Sequence, residues 1–239
     1  MYVDLPNKFQ TPSLSHLFGT DWVGRDMLTR TIKGLSLSMK IGLLATLTST
    51  IIAIILGIIG PTFGRRVDAV VTWFIDLVLS VPHTLVVILI SIAMGGGLKG
   101  IVVGVAATHW TSLTRVIRAE VMQIMESDYT KISKNFGKSN WYIAKEHILP
   151  HVIPQIIVNA VLIFPHAILH EASVTFLGFG LPPHEPAIGV ILSESMKYLT
   201  SGYWWLAFFP GLSLILVSMM VDKIGKNIEQ LINPKTAYK

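Results

Sequence analysis

The chain has 239 residues, of which 51% are hydrophobic and only 14% charged, and its mean hydropathy is +0.60. Soluble domains carry about 25% charged residues, so an ordinary water-exposed globule is excluded and an all-α integral membrane protein is indicated. Cysteine is absent, which removes disulfide frameworks, thiolate metal sites and cysteine nucleophiles, while the net charge of +5 fits either nucleic acid or basic loops beside a bilayer.

The opening segment, 1–40, carries Lys8, Arg25, Arg30, Lys33 and Lys40 and lacks the charged start, apolar stretch and cleavage site of a signal peptide. Within it, 20–38 predicts an amphipathic helix lying in the outer membrane interface. Five apolar runs follow, each near the length of about 20 residues that a helix needs to cross a bilayer. The first, 41–59, holds no charge; the second, 70–94, is interrupted by Asp76, Pro82 and His83; the third, 98–117, is softened by His109, Trp110 and Thr111. The fourth, 152–172, contains Pro154 and Pro165, and the fifth, 203–221, opens on Tyr203, Trp204 and Trp205, an edge suited to the membrane–water boundary. A transmembrane domain over 41–222 is expected, with a polar loop at 119–150, an opposite loop at 175–202 and a tail at 223–239.

Basic residues orient these spans. Arg65 and Arg66, six Lys or Arg in 111–151, and Lys223, Lys226, Lys235 and Lys239 make twelve of the 19, whereas the two opposite loops hold only Lys99 and Lys197. The twelve belong on the cytosolic side, which sets the C-terminus there and explains the basic pI without any nucleic-acid partner. Five spans then leave the basic N-terminal segment outside, and a missing upstream helix is the simplest repair.

The longest polar stretch, 120–150, predicts a helical hairpin. Ser127 or Asp128 can cap its first helix, on which Tyr129, Ile132 and Phe136 form one apolar stripe. Gly137 suits a left-handed helix exit, and Ser139 or Asn140 can cap a second helix that runs to Leu149 and stops before Pro150. Such a stripe can dock into a groove on a soluble partner or fold back on the chain's own helices. Gly137-Lys138-Ser139 imitates the end of a phosphate-binding loop, but Ile132 stands where the first glycine belongs, so no nucleotide site follows.

Ionisable groups at membrane depth are costly and mark a pathway or a contact. Here they are Asp76, His83, His109, His166, His170 and Glu171. For Asp76 a hydrogen bond to a neighbouring helix is the favoured reading. His166 and His170 lie one helical turn apart with Glu171 beside them, a set that suits nickel, cobalt, copper or zinc. No third ligand is fixed and His-Glu-x-x-His is absent, so these groups are expected to line a pathway or support the bend at Pro165, with no permanent metal site. Two other classes, an intramembrane metal-dependent hydrolase built on His166, His170 and Glu171 and a secondary transporter, fit less well: the first has no separate general base, the second no visible inverted repeat and no use for the hairpin.

Four segments carry a family resemblance: Gly137 followed by His147-Ile148-Leu149-Pro150; Gly19-Thr20-Asp21-x-x-Gly24-Arg25-Asp26 with Thr29-Arg30; Glu171-Ala172-Ser173-Val174-Thr175-Phe176-Leu177-Gly178-Phe179-Gly180; and Trp204-Trp205-Leu206-Ala207-Phe208-Phe209-Pro210-Gly211. In this order and spacing the chain resembles the permease subunits of bacterial binding-protein-dependent ABC importers, in the dipeptide, oligopeptide and nickel branch. The resemblance implies an inner-membrane pore formed with a paralogous permease, two cytosolic ATPase subunits that use the ATP, an extracytoplasmic solute-binding protein, surrounding lipid, and no cofactor on this chain. It places ATPase coupling on Asp128, Tyr129, Lys131, Ile132, Ser133, Phe136, Gly137, Leu149 and Pro150, and a translocation pathway near Asp76, His83, His166, His170 and Glu171. Two departures stand out: Lys131-Ile132-Ser133 replaces the family's Glu-Ala-Ala, and the usual six helices lack the first. Pro186-Ala187-Ile188-Gly189 together with His170-Glu171 is more similar to nickel, cobalt and metallophore-complex importers, which makes metal the first expected cargo and di- or oligopeptides the alternative.

Overall fold

The computed structural model describes residues 4–232, and its regular structure is helical. Helix α1 spans Met27–Thr62, opened by the Asp26 carboxylate, which accepts the Thr29 N–H at 2.8 Å. At 36 residues it is about 54 Å long, well beyond the hydrocarbon thickness. The separate interfacial helix expected at 20–38 is not found: beyond a 3-10 turn at Leu5–Asn7, α-helix begins at Met27 and runs straight into the first apolar run, while Thr20 and Asp26 close a loop through an isolated antiparallel bridge.

The second apolar run is broken. Helices α2 (Arg65–Leu79) and α3 (His83–Ala93) meet at 93°, because Pro82 donates no hydrogen bond and drives Val81 out of helical conformation. Helix α4 (Gly97–Glu126) follows, then α5 (Asp128–Asn135) and the single turn α6 (Asn140–Ile143). The chain does not stop before Pro150. A π-type turn, Ala144–Ile148, carries α6 into α7 (Leu149–Phe176), so Asn140–Phe176 forms one 37-residue helical run. The wider turn accommodates a proline whose ring would clash with the carbonyl four residues back. Helices α8 (Ile188–Leu199) and α9 (Trp205–Ile232) complete the described chain. Lys223 and Lys226 continue α9, and Lys235 and Lys239 lie outside the described residues.

Among the described residues three helical runs are long and apolar enough to span a membrane (α1, the α6–α7 run and α9), or four if the bent α2–α3 pair is one span. The expected five is therefore not reached on length and composition. Helix α4 has the length, but Lys99, a Thr108-His109 pair, Thr111, Thr114 and Arg115 dilute its apolar character.

Helix α1 packs most extensively on α4, and α7 lies against α1 and α9. Close approach relies on small residues, as expected where the surrounding lipid removes hydrophobic drive. A Cβ at Gly57 of α1 would stand 2.8 Å from Ile117 of α4, and one at Gly104 of α4 would stand 2.9 Å from the Val87 carbonyl of α3. One core cluster joins Ile58, Val71, Ile117, Val121, Ile143 and Ile148 at the end that carries α5 and α6. At the opposite end Met27, Ile168, Ile188, Ile191 and Trp205 pack together.

That opposite end is closed by the N-terminal segment. The Asp21 carboxylate accepts hydrogen bonds from the Val23 and Arg25 N–H groups at 2.9 Å each, from Arg25 Nε at 2.6 Å and from an Arg30 guanidinium nitrogen at 3.1 Å. Arg30 also pairs with Glu194 of α8. Phe9 stacks on Tyr203 and Trp22 on Tyr198, with ring centroids 4.1 Å and 5.3 Å apart. Gly24 sits at φ +76°, where a Cβ would fall 1.7 Å from the Asp4 carbonyl oxygen. The Gly-Thr-Asp-x-x-Gly-Arg-Asp segment is thus a folded cap. Its Arg25 and Arg30 are neutralised locally, Arg25 by Asp21 and Arg30 by Asp21 and Glu194.

Candidate coupling surface and intramembrane histidine cluster

Two groups of residues stand apart from the packed helices. The first is the α5–α6 hairpin. Ser127 precedes α5 with its hydroxyl on the Ile124 carbonyl at 2.5 Å and on Thr130 Oγ1 at 3.1 Å, so it anchors the hairpin to the end of α4 instead of capping a free α5 amide. Helix α5 ends as expected: Gly137 takes φ +74°, its N–H bonds the Lys134 carbonyl at 2.9 Å, and the Lys138 N–H bonds the Ser133 carbonyl at 3.1 Å. The Ser139 hydroxyl then caps α6 through the Tyr142 N–H at 3.2 Å.

The predicted stripe faces outward. Tyr129 and Ile132 are exposed and Phe136 is 81% exposed, so the alternative in which the stripe folds back on the chain's own helices does not hold. Lys131 is exposed and paired with Glu126 at 3.1 Å, and Leu149 and Pro150 lie at the start of α7, half-buried and exposed. Asp128 opens α5, where its charge complements the helix dipole.

Sequence reasoning missed three members of this surface. Trp141, 67% exposed, and Tyr142 extend the apolar patch onto α6, with Trp141 edge-on to Phe63 at the end of α1. His147 is the brace: its Nε2 is 2.9 Å from Ser133 Oγ, and its ring contacts Tyr129 and Tyr142 at centroid distances of 5.5 and 5.8 Å. Aromatic residues four and five positions beyond a predicted left-handed glycine were the available signal. The contact to His147 crosses the turn and has no sequence period.

Two ion pairs fix α2 to α4 beside this end. Arg118 holds Asp68 in a fork, with its second nitrogen 2.6 Å from Asp68 Oδ2, and Arg115 holds Asp76 at 2.9 Å. Asp76 therefore bonds a neighbouring helix, the favoured sequence reading, and stays apart from the histidines.

The second group is those histidines. The structure rearranges the expected pathway set: His83, His109 and His170 come together, with one potential ligand nitrogen from each within 4.8 Å of the others. Ring centroids are 4.6 Å apart for His83–His109, 4.4 Å for His83–His170 and 5.2 Å for His109–His170. His83 starts α3 at the α2–α3 break, His109 lies mid-way along α4 and His170 lies on α7. His166, one turn from His170, is exposed and outside the trio. Glu171 points elsewhere: it is fully buried, accepts the Thr175 hydroxyl at 2.9 Å, and leaves Oε2 without a partner. The set His166, His170 and Glu171 is thus not a cluster. His170 and Glu171 are consecutive, and adjacent side chains on a helix do not share a face.

The profile of the binding-protein-dependent transport system inner membrane component matches residues 49–234. The chain belongs to that family. This permease is 34% identical over 224 residues to the dipeptide transport system permease protein DppC of Bacillus subtilis, an alignment covering 94% of this chain and 70% of the relative. It is 31% identical over 232 residues to the oligopeptide transport system permease protein OppC of the same organism, covering 97% and 76%, and 30% identical over 237 residues to a probable D,D-dipeptide transport system permease protein DdpC of Escherichia coli, covering 99% and 79%. Its fold matches a chain of the inward-facing MetNI methionine ABC transporter with a TM-score of 0.70 at 14% identity, covering 87% of this chain and 98% of that one. The protein is an ABC importer permease and a transport component, not an enzyme. The relatives' names support the peptide alternative better than the nickel or cobalt cargo placed first on sequence grounds.

Proposed function

We propose that this permease carries short peptides inward across a bacterial inner membrane. It does so through a pore shared with a second permease of the same family, fed by an extracytoplasmic binding protein and driven by two cytosolic ATPase subunits that consume the ATP. The supporting observation for coupling is the outward-facing patch of Tyr129, Ile132, Phe136, Trp141 and Tyr142 on an otherwise polar hairpin. Apolar groups displayed this way stay in water unless a partner covers them, and a groove on an ATPase subunit would do so. Closure of the ATPases would then reach the membrane helices as a near rigid-body movement, since His147 ties α5 to the π-type turn that enters α7 and Ser127 ties it to the end of α4. The basic residues of the 111–151 segment lie at this hairpin end, which supports a cytosolic side for it, and the C-terminus is proposed on the same side. The peptide class is supported by the names of relatives aligned over nearly the whole chain.

A second reading, import of nickel, cobalt or a metal complex, has one observation in its favour, the His83–His109–His170 trio. Uptake of labelled di- and oligopeptides and of labelled nickel and cobalt, free and chelated, in cells with and without the gene separates the two. Gene-dependent peptide uptake is expected. Gene-dependent metal uptake without peptide uptake selects the second reading.

A further inference from the structure

We propose that His83, His109 and His170 form a binding site for one borderline divalent transition-metal ion of the nickel, cobalt, zinc and copper class. Three features of the cluster carry this, and none depends on which cargo the pore passes. First, the three residues come from three separate elements, the α2–α3 break, α4 and α7, and converge so that one ligand nitrogen of each lies within 4.8 Å of the others, with no lysine, arginine or carboxylate in the group. Second, the orientation of the central ring is set from behind. His109 Nδ1 lies 2.9 Å from the Val105 carbonyl, an acceptor only, so Nδ1 carries the proton and Nε2 presents its lone pair. A backbone carbonyl on the distal ring nitrogen is the usual support of a metal-ligating histidine. Third, His83 Nδ1 is buried with no hydrogen-bond partner, a cost that a metal or a bonded neighbour would remove.

The geometry needs only modest adjustment. A metal about 2.1 Å from each nitrogen draws tetrahedrally disposed nitrogens to about 3.4 Å from one another. His83 and His170 are half-buried and can turn inward, while His109 is held by its carbonyl. The donor set is all imidazole, which suits borderline ions and discriminates against magnesium and calcium, whose ligands are oxygens. Three protein ligands leave at least one coordination position open, as in exchangeable and not in closed structural sites. An ion held here would join α4, α7 and the mouth of the α2–α3 break, so its arrival and departure would alter how these elements sit on one another.

The test uses the full-length permease purified with its partner subunits, free of any histidine tag, and cobalt, nickel or zinc ions alone as probes. Equilibrium dialysis is expected to show one ion per permease chain that is lost or weakened at least tenfold in His83→Phe, His109→Phe and His170→Phe. Those substitutions keep a ring for packing and remove the ligand. His166→Gln is expected to bind as the parent does. Unchanged affinity in the three phenylalanine variants, or no binding by the parent below millimolar metal, overturns the proposal. If a variant fails to insert, nitrogen hyperfine structure in the copper(II) resonance spectrum of the parent decides: three coordinated imidazoles are expected, and fewer than three overturns the site.

Discussion

The two ends of this permease solve opposite problems. At the end closed by the N-terminal segment the central charged groups are partnered inside the chain: Asp21 is fully buried beneath four hydrogen bonds, Arg30 is 2% exposed between Asp21 and Glu194, and Trp22 lies under both Arg25 and Arg30. At the hairpin end the emphasis shifts, and Phe136 and Trp141 stand in the open on a scaffold braced by the Ser133–His147 and Ser139–Tyr142 hydrogen bonds. One end is built to hold itself together and the other to be covered by something else. Substitutions at the first should therefore cost stability, and substitutions at the second should cost transport.

The largest separation of the two is expected from Gly137→Pro. Proline fixes φ near −65°, whereas Gly137 holds +74°, so the turn that aims α5 cannot form. Among the described residues nothing lies within 4 Å of a Cβ at this position, so the packed helices are untouched. ATP-dependent uptake should fall to the background of cells without the gene while membrane insertion, followed by protease accessibility, stays normal. Retained uptake would show that the hairpin is not the coupling element.

At the end closed by the N-terminal segment Arg30→Ala should do the reverse. It leaves Asp21 and Glu194 facing a buried space without their shared cation, a loss of about 3–5 kcal/mol for a broken buried pair. The detergent-solubilised complex should melt at clearly lower temperature, whereas Phe136→Asp, on the surface, should shift stability by no more than about 0.5 kcal/mol. Equal destabilisation by both would erase the contrast between the ends. Between them, Gly104→Val tests the membrane packing: its added carbons meet the Val87 backbone, and a cost of about 1–3 kcal/mol from overpacking is expected in the same melting assay.

The smallest effect concerns pH at the N-terminal cap. Burial opposes ionisation of Asp26, yet the Thr29 amide and hydroxyl and the nearby His16 ring outweigh it and hold the carboxyl below its usual value. A folded pKa below the unfolded one means the cap's contribution is complete at neutral pH and lost as pH falls below about 4. Asp26→Asn should flatten that part of the stability–pH profile while costing about 1 kcal/mol or less at pH 7, because asparagine still caps.

Much of this was legible in the sequence because it depends on local pattern. The apolar runs, the Tyr129–Ile132–Phe136 stripe and the left-handed Gly137 all follow from period and residue type. What failed depended on context. The break at Pro82 was visible as a proline, but its 93° angle was not. Pro150 was read as a stop, and the chain absorbed it with a π-type turn. Most telling is the histidine trio: His83 and His109 were each visible as costly residues in apolar runs, but their meeting with His170 is set by how α3, α4 and α7 pack. No spacing rule reports that. The opposite error, grouping His170 with Glu171, came from closeness in sequence, which on a helix turns neighbours about 100° apart.

The central claim is that the exposed hairpin patch is where this permease meets its ATPase, and the most direct measurement is copurification from native membranes with Phe136→Asp set against the parent chain. The parent should bring down ATPase subunits together with a second permease. The inserted variant should keep the second permease and lose the ATPases. ATPase recovery undiminished by a carboxylate at position 136, together with normal uptake, would contradict the account.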